Sequence, residues 1–108
     1  MNYTIEYYDD DVITQLLAQP ISLQANFISL AKRMKRYGIK MVDAVPMHYH
    51  EDVFELCFYE PKGWNRVIFM AQIDWQIVIL HIVVQKTAYM PWKEKGKAAK
   101  RMKELRFG

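Results

Sequence analysis

The chain has 108 residues, 52% of them apolar and 25% charged, with a net charge of +3 and one cysteine. That length supports one domain with its own core and leaves no room for two. No apolar run reaches the roughly 18 residues of a membrane helix, the acidic start is unlike a signal peptide, and Cys57 has no partner for an internal disulfide, so a reducing cytoplasm is the expected setting.

Residues 3–8 alternate modestly and predict an edge strand. Val12, Ile13, Leu16 and Leu17 have helical spacing, and Pro20 ends that short helix. Ser22 is the expected N-cap of a longer helix. Leu23, Phe27, Leu30, Met34 and Tyr37 fall on one face of it. Lys32, Arg33, Lys35 and Arg36 in its last turns complement the helix dipole, and Gly38 stops it. Residues 39–52, with Pro46, read as a loop.

From residue 53 the period becomes that of strands. Residues 53–59 form one strand, Pro61-Lys62-Gly63 a turn, and residues 64–73 a second strand. Asp74-Trp75 reverses the chain tightly into residues 76–84. The three strands are expected to be sequential and antiparallel. Pro91 suits the first turn of a last helix, and Ala98, Met102 and Leu105 give that helix a packing face. Gly96 weakens it by about 1 kcal/mol relative to Ala. The expected fold is α+β: an N-terminal strand and two-helix hairpin packed on an antiparallel sheet of about four strands, with a basic C-terminal helix, all in a single domain spanning residues 1–108.

The modest net charge hides a strong segregation. Residues 1–31 sum to −4 and residues 91–108 to +5. Lys93, Lys95, Lys97, Lys100, Arg101, Lys103 and Arg106 would present a cationic surface suited to a polyanion, against the plainer reading of a solvated helix face.

Few residues carry candidate chemistry. His48, His50 and Glu51 are clustered, but no further Cys/His set completes the three or four ligands of a zinc site, so no metal is expected. His81 lies in the most apolar strand and reads as a core histidine. Cys57 reads as core filler. Glu55, if it faces inward, needs a cation, and Arg66 on the neighbouring strand is the expected partner. Arg66 and Lys86 are cations on the sheet itself, where a rigid arginine can fork a phosphate. Tyr89 and Trp92, beside Lys86 and Lys93, could stack a base.

The ordered set Phe54-Glu55-Leu56-Cys57, Asn65-Arg66-Val67-Ile68-Phe69 and Ile79-Leu80-His81-Ile82-Val83-Val84-Gln85-Lys86-Thr87-Ala88-Tyr89-Met90-Pro91 resembles the HigB-like, phage-derived branch of the RelE/ParE toxin superfamily. The N-terminal hairpin is similar too, with Leu16-Leu17, Pro20, Phe27, Leu30, Gly38 and Pro46 in the same order. The resemblance covers nearly the whole chain. It implies the toxin of a type II toxin–antitoxin pair, a ribosome-dependent mRNA endonuclease that needs no cofactor or metal. Its partners would be a HigA-like helix-turn-helix antitoxin and the ribosome with mRNA in the A site. In such cleavage a 2′-hydroxyl attacks the adjacent phosphorus, and cations stabilise the anionic transition state. The resemblance assigns Arg66 to phosphate stabilisation, Lys86 to charge or base work and Tyr89 to stacking or proton relay. Trp92, Lys93, Lys97, Lys100 and Arg101 would hold RNA. The chain departs from the family at Cys57, Gln85 and Tyr89, where the family carries cations, and at Ile82 in place of a glycine. Two alternatives therefore stand beside the nuclease: a catalytically weakened relative that binds RNA or antitoxin, and a ParE-like inhibitor of DNA gyrase.

Overall fold

A computed structural model of the chain describes residues 2–60, 64–86 and 89–107. The expected turn at Pro61-Lys62-Gly63, and Thr87 and Ala88, lie outside the described residues. Strand β1 (Thr4–Tyr7) is followed by helices α1 (Asp10–Leu17) and α2 (Ile21–Tyr37) and a 3-10 turn at Ile39–Met41. Strands β2 (Val45–Met47), β3 (His50–Phe58), β4 (Asn65–Ile73) and β5 (Gln76–Gln85) come next, and helix α3 (Trp92–Phe107) closes the chain.

The sheet has five strands in the order β1-β5-β4-β3-β2. β1 runs parallel to β5 at one edge, and the other pairs are antiparallel. The expected four strands become five because residues 45–47 pair as β2 with β3 and strand pairing reaches back to His50, within the segment that reads as a loop. Pro46 is tolerated there because β2 is an edge strand, where a missing N–H leaves no central ladder bond unmade.

The helical hairpin follows local sequence closely. Asp9 caps α1 by accepting from the Val12 N–H at 3.0 Å. Gly38 ends α2 with φ at 88°, a conformation that favours glycine. The start of α2 differs from expectation. Ser22 lies inside the first turn, and Pro20 occupies the cap position. Gln24 ties the short joint together, its Nε2 donating to the carbonyls of Leu17 at 3.1 Å and Gln19 at 2.8 Å. Leu23, Phe27 and Met34 are buried as expected, but Ala31 completes the inner face and Tyr37 is exposed.

Strand alternation divides the core into two. Ile68, Met70, Ile77, Ile79 and Ile82 pack against α1 and α2. Val67, Phe69, Ala71, Val78, Leu80 and Val83 pack against Ala98 and Met102 of α3. Leu105, expected on that packing face, is 41% exposed. The β4–β5 ladder pairs Phe69 with His81 and Met70 with Ile79, so Leu80 is an extra residue, a bulge.

Candidate RNA-facing end and the clasp on the last helix

Arg66 stands at the start of β4, opposite Phe58 and Val84. It shares the parity of Ile68, and its guanidinium therefore points toward the helical hairpin. Nε donates to Gln19 Oε1 at 3.1 Å, and Nη1 meets Glu60 Oε1 at 2.7 Å and donates to the Trp64 carbonyl at 2.9 Å. The side chain is 15% exposed. The expected partner Glu55 is replaced by Glu60, because Glu55 lies opposite Phe69, three ladder positions away from Arg66's own pair Phe58.

Lys86 follows directly after β5 and is exposed. Its Nζ lies 4.9 Å from the centroid of the Trp64 ring, a cation–π contact. Trp64 thus links two of the sequence-predicted site residues: its carbonyl holds Arg66 and its ring holds Lys86. Tyr89, between β5 and α3, and Trp92, the first residue of α3, are exposed, and Lys95 Nζ sits 5.9 Å from the Trp92 ring. Lys93, Lys97, Lys100 and Lys103 are exposed along α3, while Ala98 and Met102 face the sheet. The sheet separates the Arg66 head group, on the hairpin side, from the α3 lysines on the opposite face. Sequence reading places them in one site, because it does not fix which way residue 66 points.

Arg101 departs furthest from the expected outward row. Its side chain is 12% exposed. Nη1 donates to the Leu80 carbonyl at 2.6 Å, Nη2 lies 3.7 Å from Asp9, and the guanidinium stacks 4.6 Å over the Tyr8 ring. Tyr8 in turn donates to Glu104, which pushes its phenol above the usual range. Arg106 meets Asp52 at 3.4 Å. The acidic N-terminal segment and the basic helix that sequence reading kept apart therefore clasp one another.

His81 is buried, as expected of a core histidine, with Nε2 paired to Glu94 and the ring stacked on Phe69. Burial pushes the imidazole below its ordinary range. The Glu94 hydrogen bond and charge pull the other way, and Lys97 and Arg101 reinforce burial. Cys57 is half-buried beside the α3-side core, and burial raises its thiol, which makes it a poor nucleophile. His48 packs against Tyr49 with ring centroids 3.9 Å apart and the planes tilted, and His50 begins β3.

A groove of about 330 Å³ lies between β1 and the hairpin. Ile5, Tyr7 and Phe27 are among its lining, Leu17 and Ile28 stand at 66% and 57% exposure, and Lys32 and Lys35 also line it. Sequence reading missed this groove and Trp64. Ile28 breaks the inner-face spacing of α2 and so left a signal, whereas the place of Trp64 depends on the β4–β5 register, which the sequence does not fix.

The model of the family described as "Phage derived protein Gp49-like (DUF891)" matches residues 14–103. No curated protein matches the sequence. Among solved structures, a double arginine-to-alanine mutant of the E. coli toxin RelE in the free state superimposes with a TM-score of 0.68 at 10% identity, covering 94% of this chain and 99% of that one. At that identity the likeness shows a shared fold.

Proposed function

The chain belongs to the Gp49-like phage-derived family and has the RelE fold, and from that premise we propose that it is the toxin of a toxin–antitoxin pair that acts on translated messenger RNA. The observation that carries this reading is the end of β5. Exposed Lys86, Tyr89 and Trp92 lead there directly into a helix whose outer side carries Lys93, Lys97 and Lys100. Aromatic rings interleaved with cations suit single-stranded RNA, which offers unstacked bases and closely spaced phosphates.

Cleavage would follow from 2′-hydroxyl attack on the adjacent phosphorus, with the 5′-oxygen leaving. Lys86 would stabilise the charge on the phosphate oxygens and Tyr89 would relay a proton. Arg66 would contribute field from the hairpin side of the sheet, reduced by its pairing with Glu60. That pairing favours a second reading, in which the protein retains RNA and antitoxin binding with cleavage weakened.

The antitoxin, a HigA-like helix-turn-helix protein on this reading, would use the groove beside β1. Helix α2 contains no acidic residue, and among the described residues none of its four cations joins an ion pair. An apolar floor with lysines beside it fits an amphipathic helix carrying acidic side chains.

Induced expression in a bacterium, with mRNA 5′-ends mapped, tests the proposal. Growth arrest with new in-frame ends that vanish in Lys86→Ala is the expected result. Growth arrest with DNA-damage signalling and intact messages would instead mark a gyrase inhibitor. Normal growth with unchanged messages would leave the binding-only reading.

A further inference from the structure

Asn65 pairs with Gln85 across β4 and β5, so Trp64 and Lys86 stand directly beyond the last paired residues of neighbouring strands. The Trp64 backbone is held from one side, its carbonyl accepting from Arg66 at 2.9 Å. Arg66 is itself fixed by Glu60 at 2.7 Å and Gln19 at 3.1 Å. The next residue is also tied, because Asn65 Oδ1 accepts from the Glu60 N–H at 3.2 Å. Yet the residue so anchored keeps 53% of its surface in solvent. An apolar ring of this size is ordinarily tucked in. Here a backbone held at its carbonyl presents it outward with an ammonium 4.9 Å away.

We propose that Trp64 is a stacking platform for one base of single-stranded RNA, that Lys86 meets the phosphate beside that base, and that Arg66 is a positioning residue which orients Trp64 through its carbonyl. This rests on the RNA-directed reading above and adds a residue that reading did not contain. The chemistry is direct. Every base has a π-face, so an oriented indole binds bases with little regard to sequence. The Lys86–Trp64 contact is weak at an exposed site. An arriving base can take the ring face while the ammonium moves to the base's phosphate, exchanging one contact for a stronger charge pair. The phosphate beside that base falls to Lys86 because Glu60 already balances much of the charge of Arg66.

The experiment is fluorescence anisotropy with a labelled single-stranded RNA of about 12 nucleotides, without ribosomes, across a salt series. Trp64→Leu should weaken binding about tenfold, Trp64→Phe should restore most of it, and Trp75→Leu, at the opposite end of the sheet, should bind as wild type. Lys86→Met should flatten the salt dependence by about 0.7 in log–log slope, the loss of one phosphate contact on a single strand. Arg66→Met should weaken binding with the slope unchanged. Wild-type affinity in Trp64→Leu would overturn the stacking role, and a flattened slope in Arg66→Met would overturn its positioning role. Absence of binding by the wild type would overturn this inference while leaving the growth-arrest test of the toxin reading independent of it.

Discussion

The guanidinium of Arg101 donates to the backbone carbonyl of Leu80 at 2.6 Å. Leu80 is the bulge residue that the β4–β5 ladder skips, so the helix supplies a donor at the point where the sheet pairing is interrupted. The same arginine reaches Asp9 and stacks on Tyr8, which fastens α3 to the start of the chain. Arg101→Ala should cost about 2 kcal/mol, the range for a hydrogen bond to a charged group in a mostly buried setting. Arg101→Lys should recover only part, since lysine lacks the planar fork. Urea denaturation of the variants checks this, and a change within error in Arg101→Ala would show that the clasp is not stabilising.

His81 makes stability depend on acidity. Its folded-state pKa lies below the unfolded value of about 6.5, so the unfolded chain takes up the proton first as pH falls. Stability from burying the neutral ring is therefore complete above about pH 6.5. It declines as pH drops from there toward the folded-state pKa and levels off beneath it. His81→Gln should be less stable at pH 7.5 and show a shallower decline as pH falls below about 6.5. Denaturation midpoints in matched buffers would reveal it, and parallel pH curves for the two proteins would sink the assignment.

Glu60 holds the charge of Arg66 in check. Glu60→Gln should release that charge to solvent at the strand end. Single-stranded RNA would then bind more tightly at low salt, with a salt dependence steeper by about 0.7 in log–log slope. An unchanged slope would mean that Arg66 stays inaccessible to a phosphate even without its partner.

The groove beside β1 gives a separate handle on the proposed antitoxin. Leu17 and Ile28 are exposed, so Leu17→Glu and Ile28→Glu should leave the melting temperature nearly unchanged. On the proposed toxin reading, both should abolish co-purification of the tagged protein with a co-expressed antitoxin, because an acidic side chain would meet the acidic residues that this reading gives the partner, in an apolar groove. Undiminished co-purification would place the antitoxin elsewhere.

Two glycines should respond in opposite directions. A Cβ on Gly38 would come within 2.9 Å of Gln72 Oε1 and 3.2 Å of the Tyr3 ring, at a φ of 88°. Gly38→Ala should destabilise by more than about 1 kcal/mol. A Cβ on Gly96, in the second turn of α3, would meet nothing within 4 Å. Gly96→Ala should stabilise by up to about 1 kcal/mol. Thermal melts of both variants separate the two effects.

Much of the architecture was legible in the residues because its causes are local. The i, i+4 spacing of Leu23 and Phe27, the stop at Gly38 and the alternation from residue 53 onward act within a few positions. Asp74, with φ at 52°, turns the chain where the sequence marks a reversal. The β2 strand was not legible. Three residues containing a proline pair only because β3 lies beside them.

The candidate site was legible in residue type but not in direction. Sequence alone placed cations at 66, 86 and along residues 91–108, and aromatic rings at 89 and 92. Only the tertiary structure decided that Arg66 turns to Gln19, 47 positions away. It also decided that Arg101 turns inward to Leu80 and Asp9, and that Trp64 stands between Arg66 and Lys86. The physical reason is the strand period of two. A register or bulge set by distant pairings chooses the face for every side chain, and the charge on a residue carries no information about which face that will be.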